Sequence, residues 1–499
     1  MEIKPDFDTF AKAYQDGTPQ VLWTALTADL DTPVSAFLKL AEGMPNAYLL
    51  ESVEGGAVRG RYSFLGFKPD LIWRCFGDQA ELNRRALADA DAFVTEESKP
   101  LDSLKKLIAE SHITLPENLP PMSAGLVGYM GYDTVRLMER LPDNNPDQLG
   151  VPDGIFIRPT VTVSFDTIED TVTVVTPARP QGGMDARAAY DLACARLNDV
   201  VLNFQRNLFI DRRSRAMPDS LPEPTVSVDE AGYHQMVEKA RDYIRAGDIF
   251  QVVLSQRYSL PYRLPPFAFY RALRRINPSP FMFYLDVGGF QVVGASPEIL
   301  VRLRDGEVTI RPIAGTRRRG KTPEDDKAMA QELLDDPKER SEHLMLLDLG
   351  RNDVGRVAKP GTVRVTDRET IEYYSHVMHI VSNVVGELDN TRFDVMDVLK
   401  AGFPAGTVSG APKVRAMEII DELEPVRRGI YAGCIGYISS DGSMDTCIAL
   451  RTAVIKDETI HIQAGAGIVV DSQPELEHLE CRNKAGALMA ACREAHRFA

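Results

Sequence analysis

The sequence predicts an α+β protein of layered architecture, in which strands arrive in consecutive runs and helices are grouped between the runs. Residues 161–166 and 171–176 are rich in β-branched residues with acidic turn residues between them, the pattern of a hairpin. Several further strand patterns follow one another between residues 250 and 313. This order favours an α+β fold over a doubly wound sheet, in which strands and helices would alternate.

One charged segment divides the predicted elements. Residues 186–209 have a helical pattern, and residues 211–228 then carry three prolines and no periodicity, which makes them the candidate boundary. We expect an N-terminal portion, 1–215, and a C-terminal portion, 216–499, that are intertwined. Later helices are predicted at 227–247 (capped by Asp229 or Ser227), 323–335, 337–350 and 474–497. Later strands are predicted at 250–258, 282–286, 291–295, 299–303, 308–313, 433–439, 447–456 and 460–464.

The composition is that of an ordinary globular protein and excludes several classes of function. The 499 residues are 44% hydrophobic and 26% charged, and the formal net charge is −15. A protein that coats nucleic acid needs a positive field, so this role is excluded. Six scattered cysteines without a C-x-x-C pair predict no disulfide framework. With no signal pattern and no membrane-spanning run, we expect a cytoplasmic protein that contacts no membrane.

Two pairs of glutamates are the first candidates for chemistry. Glu339 and Glu342 stand near the start of one predicted helix, and Glu477 and Glu480 near the start of another. Residues at i and i+3 share a helix face, so each pair can present two carboxylates in one direction. If the two faces meet, like charges tolerate the crowding only around a cation. Oxygen ligands alone favour a hard ion, and we therefore predict Mg²⁺.

Each pair also has an ordinary interpretation as a solvated helix face. Asp336 is a plausible N-cap, and Glu339 then occupies the position of a capping-box acid. Ser472 and Glu475 form a similar Ser-x-x-Glu box at the other helix. Helix capping does not account for the presence of glutamates at three of the other positions, Glu342, Glu477 and Glu480.

Two glycine-rich segments can bind an anion. Residues 403–413 form a glycine-punctuated loop that leads into a helix, and it is either an anion cradle or a structural turn. Lys413 is not followed by Ser or Thr, so the loop is not a Walker A motif. Residues 463–472 lack the third glycine of a dinucleotide fingerprint and continue into an apolar strand, which excludes NAD. Arg451 lies on a strand whose sequence predicts burial. Because arginine is rarely buried without a partner, a ligand carboxylate could pair with it.

Glu298 and His379 are the candidates for proton transfer. Glu298 follows an apolar strand, where desolvation would raise the pKa of its carboxyl and suit it to general-acid work. It is equally explained as a strand-end acid in a turn. His379 is flanked by apolar residues and is either a satisfied core histidine or a catalyst.

Several motifs occur together and in order, and in that combination the chain resembles the chorismate-utilising enzymes, specifically the large subunits of anthranilate synthases. The resemblance covers essentially the whole chain. It implies an α/β/β/α architecture with two packed, largely antiparallel sheets flanked by helices. The motifs lie at 247–257, 294–298, 312–316, 338–343, 349–353, 406–413, 463–467 and 483–484.

The resemblance implies Mg²⁺-dependent amination of chorismate at C2 with loss of the C4 hydroxyl. Elimination of pyruvate then gives anthranilate, in the first committed step of tryptophan biosynthesis. Glu342 and Glu480 match direct metal ligands, and Glu339 and Glu477 act through water. Glu298 matches the general acid. The other catalytic matches are His379, Gln251 and Thr316, and the substrate-binding matches are Gly315, Thr407, Tyr431, Arg451, Gly465, Gly467 and Lys484.

Two positions separate the branches of this family. Members that add water carry Lys where this chain has Gln251, and an uncharged amide cannot act as a base toward water. Aminodeoxychorismate synthases carry Lys where this chain has Ala314. Both differences favour anthranilate formation; the alternatives are an aminodeoxychorismate synthase and a non-catalytic tryptophan-binding homologue.

The resemblance also implies feedback inhibition by L-tryptophan. The matching residues form two segments, one around residue 51 and one at 277–283. Asn383 stands where relatives carry Arg, which leaves the affinity for tryptophan open. The predicted inhibitor site comprises Glu51, Ser52, Asn277, Pro278, Pro280, Met282, Phe283, Gly294 and Cys447.

A glutamine-hydrolysing activity is not encoded in the chain. No cysteine stands in a Gly-x-Cys-x-Gly elbow, and residues 433–436 have the wrong spacing. We therefore expect a separate glutamine amidotransferase subunit that supplies ammonia, and a hetero-oligomer.

Overall fold

The computed structural model describes residues 1–52, 60–208, 221–374 and 377–499, which form eleven α-helices and 22 strands. The helices are α1 (Phe7–Gln15), α2 (Pro33–Leu40), α3 (Pro100–Glu110), α4 (Ala186–Phe204), α5 (Glu230–Ala246), α6 (Pro266–Ile276), α7 (Pro323–Asp335), α8 (Pro337–Gly355), α9 (Val395–Gly402), α10 (Lys413–Leu423) and α11 (Pro474–Glu494). The strands are β1 (Gln20–Thr27), β2 (Tyr48–Glu51), β3 (Tyr62–Phe76), β4 (Gln79–Asn83), β5 (Val94–Thr95), β6 (Gly125–Met130), β7 (Gly154–Asp166), β8 (Thr171–Ala178), β9 (Thr225–Val226), β10 (Gln251–Pro261), β11 (Phe281–Asp286), β12 (Gln291–Ser296), β13 (Ile299–Arg304), β14 (Glu307–Ile310), β15 (Ile313–Arg318), β16 (Arg364–Tyr373), β17 (Val377–Glu387), β18 (Gly410–Ala411), β19 (Cys434–Ser439), β20 (Met444–Ile448), β21 (Thr452–Lys456) and β22 (Thr459–Ile468).

The strands form two antiparallel sheets that share the long strands β3 and β7. The first sheet has the order β1-β8-β7-β3-β2-β11-β12-β21-β22-β10. The second has the order β4-β3-β7-β6-β19-β20-β13-β14-β17. Since all these pairings are antiparallel, the predicted α+β class and the hairpin β7–β8 are confirmed.

Three buried apolar clusters fill the spaces between four layers. Phe283 of the first sheet and Ile435 of the second belong to one cluster between the sheets. Leu197 of α4 belongs to a second cluster, in which α1, α2, α4, α6 and α11 cover the first sheet. Leu399 of α9 packs with Val301 in a third cluster, on the second sheet. The layers are therefore helices, sheet, sheet and helices, as the resemblance implied.

Two predicted strands are wrong because each is interrupted. The strand at 308–313 is two strands, β14 and β15, which both pair with β17 and are separated by Arg311 and Pro312. Proline has no N–H for the ladder, and here its carbonyl accepts a bond from Ser382 N at 3.1 Å. The strand at 447–456 breaks between β20 and β21, where Arg451 has a φ of 48°. Arg451 is thus in the left-handed region and not in a strand.

Helix ends differ from prediction in α4, α5, α8 and α11. Helix α5 begins at Glu230 with Asp229 as its N-cap, so the alternative cap Ser227 is wrong. Helix α4 ends at Phe204 rather than residue 209, and α8 continues to Gly355. The capping box predicted for α11 is wrong, because its N-cap is Gln473 without a side-chain cap bond. Ser472 Oγ instead accepts from Val469 N at 3.0 Å.

The two predicted portions contribute neighbouring strands to both sheets. In the first sheet β2 pairs with β11, and in the second β6 pairs with β19. The predicted boundary at 215/216 lies outside the described residues, so the division stays a prediction. None of the helices in the described part of the chain has the length and apolar character that crossing a bilayer requires.

Candidate active site and a second cavity

A cavity of about 740 Å³ brings most of the predicted site residues together. Helix α8 packs against β15 and β17 on one side of it, and α11 packs against β22 on another. Both glutamate pairs line this cavity. The other predicted residues that line it are Gln251, Asn277, Pro278, Glu298, Gly315, Thr316, His379, Thr407, Tyr431, Arg451, Gly465, Gly467 and Lys484.

The two glutamate pairs face each other across the cavity. Asp336 caps α8 by accepting from Lys338 N at 2.9 Å and from Glu339 N at 3.2 Å, which sets the start of that helix. Burial raises the pKa of Glu342, the Gln251 amide lowers it, and the charges of Glu339 and Glu480 raise it again. A carboxylate of α8 therefore feels a carboxylate of α11 as well as its helical neighbour.

The four carboxylates have different partners within the protein. The Asp336 side chain caps α8 without a reciprocal capping-box bond from Glu339 in the described structure, so the capping-box interpretation of Glu339 is wrong; Glu339 instead accepts from Arg317 Nη1 at 3.0 Å. Glu480 pairs with Lys484 Nζ at 2.7 Å. Among the described residues, Glu342 has one hydrogen-bond donor, Gln251 Nε2, at a long distance of 3.4 Å. The arrangement offers only oxygen ligands at its centre, which suits a hard divalent cation.

Glu298 lies between β12 and β13, and its side chain enters the cavity rather than a solvent-exposed turn. Burial raises its pKa to about 7, while Thr407, Lys484 and Arg451 exert smaller opposing effects. The carboxyl is therefore partly protonated near neutral pH and can donate a proton.

The hydrogen bonds of His379 define which ring nitrogen is free to act. Its Nδ1 lies 2.9 Å from the carbonyl oxygen of Gly315, and a carbonyl can only accept, so Nδ1 carries the proton. Burial lowers the pKa of His379, which keeps the ring neutral at pH 7. Nε2 then carries the lone pair and can accept a proton. Nδ1 is therefore satisfied by a protein carbonyl, and Nε2 is the ring nitrogen available for proton transfer.

The glycines of β22 make room for neighbouring side chains. A Cβ at Gly465 would lie 2.9 Å from the Tyr431 hydroxyl, and one at Gly467 would lie 2.5 Å from Gln251 Nε2. The Gly465 carbonyl accepts from Lys484 Nζ at 2.9 Å. Both glycines lie inside a strand, so they form no phosphate loop.

A buried ion pair, which sequence reasoning missed, holds the loop that carries Thr407. Arg428 donates to the carbonyls of Val408 and Val253, both at 2.6 Å, and pairs with Glu424. Glu424 also accepts from Ser255 N at 2.8 Å. Arg428 and Glu424 therefore fasten the Thr407 turn to β10, the strand that begins with Gln251. Lys413, in the same loop, pairs with Asp353 instead of reaching the cavity.

Glu424→Ala is expected to lower the free energy of unfolding by about 3–5 kcal/mol, because it leaves the Arg428 charge buried without its partner. Denaturant unfolding of the variant measures this loss. Glu422→Ala, two residues away and exposed, is the matched control and should change stability little. Equal effects of the two substitutions would contradict the assigned role of the ion pair.

A second cavity of about 650 Å³ holds part of the predicted inhibitor site. Pro297, Ile313 and Tyr374 line both cavities and form the wall between them. Aromatic and arginine side chains, including Tyr62 and Arg302, line the rest. The predicted inhibitor residues in this cavity are Glu51, Ser52, Pro280, Met282, Phe283 and Cys447.

Three predicted inhibitor residues lie elsewhere. Asn277 and Pro278 line the larger cavity, because the chain enters β11 only at Phe281. Gly294 lies behind Phe283 across the β11–β12 pair, where a Cβ would be 2.3 Å from the ring. Close packing against the Phe283 ring explains why residue 294 is a glycine.

Two polar residues of the predicted inhibitor region are already engaged within the protein. Both carboxylate oxygens of Glu51 accept from Arg274, at 2.8 and 3.0 Å, and Tyr270 donates to the same carboxylate. Asn383 lines neither cavity; its amide donates to Thr366 Oγ1 at 2.7 Å. Glu51 thus shapes the cavity wall as part of an internal ion pair.

Comparisons with known proteins identify the family. The profile of the chorismate-binding enzymes matches residues 47–490, and the chain therefore belongs to that family. Within it, the chain groups with component 1 of anthranilate synthase. It is 58% identical over 498 residues to anthranilate synthase component 1 of Cereibacter sphaeroides, covering 99% of this chain and 98% of that one. Its identity to the Aquifex aeolicus protein of that name is 48%, covering 94% of each chain.

Solved structures show the same fold. Anthranilate synthase component I of Streptococcus pneumoniae superposes with a TM-score of 0.74 at 35% identity, covering 93% of this chain and 98% of that chain. The menaquinone-specific isochorismate synthase of Escherichia coli superposes with a TM-score of 0.70 at 19% identity, covering 97% and 98%. The second likeness concerns the fold alone.

Proposed function

We propose that this chain converts chorismate to anthranilate, with ammonia as the nitrogen donor and Mg²⁺ as the cofactor. The observation that carries the proposal is the convergence of four carboxylates, a buried Glu298 and His379 on one cavity. The curated relatives at 58% and 48% identity, both named anthranilate synthase component 1, support the same reaction.

Positive groups in the cavity would hold the substrate dianion. Arg451 is half-buried at the cavity, and its main-chain carbonyl accepts from Ala295 N at 3.1 Å. Thr407 Oγ1 is buried beside the Glu298 carboxyl, whose pKa it lowers, and Tyr431 lies against Gly465. Local cations and hydroxyls of this kind are needed because the chain as a whole carries a charge of −15.

The carboxylates fit Mg²⁺, since they are oxygen donors that repel one another. Glu342 and Glu480 would hold the ion directly, and Glu339, already bound to Arg317, would act with Glu477 through water. When bound, the ion would neutralise the crowded carboxylates and polarise a carboxylate of the substrate.

The remaining groups would move protons. Glu298 donates a proton to the departing C4 hydroxyl, which leaves as water while ammonia adds at C2. Gln251 is neutral and cannot activate water, which leaves ammonia as the nucleophile. His379 Nε2 then accepts the ring proton as the bond from the ring to the ether oxygen breaks, and the departing enolate takes up a proton on carbon to become pyruvate. Gly315 and Thr316 hold the Nδ1 side of the histidine. The product of these steps is the aromatic amine anthranilate.

Product analysis tests the reaction. The chain incubated with chorismate, Mg²⁺ and an ammonium salt should yield anthranilate and pyruvate, identified by mass spectrometry. An aminated product that retains its pyruvyl group would instead identify an aminodeoxychorismate synthase. Saturable tryptophan binding without any turnover would identify a non-catalytic homologue.

A separate glutamine amidotransferase subunit would supply ammonia in the cell, as the designation component 1 of the relatives suggests. With glutamine as the only nitrogen source, the isolated chain should form no anthranilate. Formation of anthranilate from glutamine by the isolated chain would contradict this part of the proposal.

The second cavity would bind L-tryptophan, with its aromatic side chains against an indole ring. The arginines that line it, such as Arg61 and Arg302, are each paired with a carboxylate of the protein and would have to share that charge with the carboxylate of the inhibitor. The wall shared with the larger cavity, at Pro297, Ile313 and Tyr374, offers a path by which the bound inhibitor changes the active site.

Ser52→Ala is expected to raise the tryptophan concentration for half-inhibition about tenfold, because it removes one hydrogen bond worth about 1.4 kcal/mol. Turnover without tryptophan should be unchanged. Inhibition curves measured at fixed chorismate give the comparison. Asn277→Ala, in the other cavity, should leave this concentration unaltered; the reverse result would place the inhibitor in the larger cavity.

A further inference from the structure

Two histidines and a glutamate form a cluster outside both cavities. Asp229 caps α5 by accepting from Gly232 N at 2.8 Å, so Glu230 is the first residue of the helix. His234 follows one turn later on the same face. His478 of α11 faces them: Glu230 Oε1 lies 3.9 Å from His234 Nε2 and 3.9 Å from His478 Nδ1. All three ligand atoms lie within 4.8 Å of one another.

The chemistry of these ligands differs from that of the carboxylate site. Two imidazoles and one carboxylate suit Zn²⁺, Co²⁺ or Ni²⁺, whereas Mg²⁺ prefers oxygen alone. Metal–ligand bonds of about 2.0–2.1 Å place tetrahedral ligand atoms roughly 3.3 Å apart, so a small contraction completes the site. The Glu230 side chain is 64% exposed and can move inward.

One ligand atom in the cluster lacks any other partner. His234 Nε2 is buried and makes no hydrogen bond with the described residues, although its side chain is 25% exposed overall. Buried polar atoms are nearly always satisfied, so a ring nitrogen without a protein partner that faces two further ligand atoms favours a bound cation as its partner.

We propose that Glu230, His234 and His478 bind a zinc-class divalent cation that fastens the first turns of α11 to α5. Tyr233 already connects these helices, with its ring centroid 5.6 Å from that of His478 and its hydroxyl oxygen 3.1 Å from Cys481 Sγ. His478 is adjacent in sequence to Glu477, but it faces α5 while Glu477 lines the cavity. The cation would therefore stiffen α11, the helix that presents Glu477 and Glu480 to the cavity, but it would not bind either of these carboxylates.

Cobalt is a suitable probe because tetrahedral Co²⁺ absorbs visible light strongly. Titration of the full chain with Co²⁺ at pH 7.5 should give a saturable tetrahedral spectrum with one equivalent bound. The His234→Ala/His478→Ala double variant should bind at least about 100-fold more weakly, since even loss of an outer-shell partner costs roughly 10–100-fold. His112→Ala, an exposed histidine elsewhere, is the control and should bind normally.

Two further measurements separate this site from the carboxylate site. Excess Mg²⁺ should leave the cobalt spectrum intact, and Co²⁺ should raise the Tm of the wild-type chain but not of the double variant. Displacement of Co²⁺ by Mg²⁺, equal binding by the double variant, or an absence of tetrahedral absorption would each overturn the proposal.

Discussion

Glu298→Gln is expected to lower kcat about 10²–10⁴-fold, because the amide cannot donate the proton that the departing hydroxyl needs. The substitution keeps the shape of the side chain in a buried site, so chorismate should still bind. Steady-state kinetics with ammonium as the nitrogen donor measure the effect. Glu307→Gln, an exposed glutamate on the neighbouring β14, is the matched control and should retain full turnover.

The pH dependence of the wild-type enzyme belongs to the same prediction. With a pKa of about 7, Glu298 loses its proton as the pH rises, so turnover should fall on the alkaline side of neutral. If the kcat of Glu298→Gln were within a few-fold of the wild-type value, Glu298 would not be the general acid. An alkaline limb that stays unchanged in the variant would point to another titrating group.

Stability gives an independent test of the Glu298 environment. Its pKa is about 7 in the folded chain against an ordinary 4.5, so the folded state binds more protons between these values. The free energy of unfolding of the wild type therefore falls as the pH rises through this window. The free energy of unfolding of Glu298→Gln does not show this decrease, because the amide does not titrate. Relative to wild type, the variant should gain about 2 kcal/mol between pH 5.5 and pH 8. A constant difference across the window would show that the carboxyl is not desolvated.

Glu480→Gln is expected to reduce turnover at fixed Mg²⁺ by more than about 100-fold, because loss of a direct ligand should exceed the roughly 10–100-fold cost of an outer-shell change. Glu477→Gln should have a smaller effect and respond to added Mg²⁺. Tryptophan binding in the second cavity should remain intact. Turnover as a function of Mg²⁺ concentration distinguishes these outcomes.

The matched control for the metal assignment is Glu475→Gln, which changes an exposed carboxylate in the first turn of the same helix, α11. It should leave the Mg²⁺ dependence unaltered. If Glu480→Gln kept the wild-type dependence, or if Glu475→Gln disturbed it equally, the assignment of the ligands would be wrong.

Local patterns in the sequence predicted most of the elements around the site. Asp336 caps α8 as expected, and the i, i+3 spacing placed each glutamate pair on one face. Local patterns could not show that the two faces meet, because that depends on how α8 and α11 pack on distant strands. The resemblance to a family supplied this relation.

Tertiary contacts account for what the sequence did not reveal. Residues 447–456 have strong strand propensity throughout, yet the left-handed backbone of Arg451 breaks the strand at the cavity. Glu424 and Arg428 have the i, i+4 spacing of an ordinary surface pair. Their role depends on the carbonyls of Val253 and Val408, which lie far away in the chain.

The segment at 277–283 is another place where the environment of a residue depends on tertiary structure and not on its sequence neighbours. The resemblance assigned it to one inhibitor site, but the start of β11 turns the chain so that Asn277 lines one cavity and Met282 the other. Short sequence distance does not ensure a shared site when a strand begins between the residues.

We propose that the two glutamate pairs form one magnesium-dependent site for chorismate. Anthranilate fluorescence, recorded with chorismate and an ammonium salt in excess EDTA and then after Mg²⁺ is added beyond the chelator, tests it most directly. We predict no signal before Mg²⁺ and a steady rise after it, abolished by Glu480→Gln. Anthranilate formation in EDTA at the same rate as with Mg²⁺ would show that the reaction needs no metal at this site.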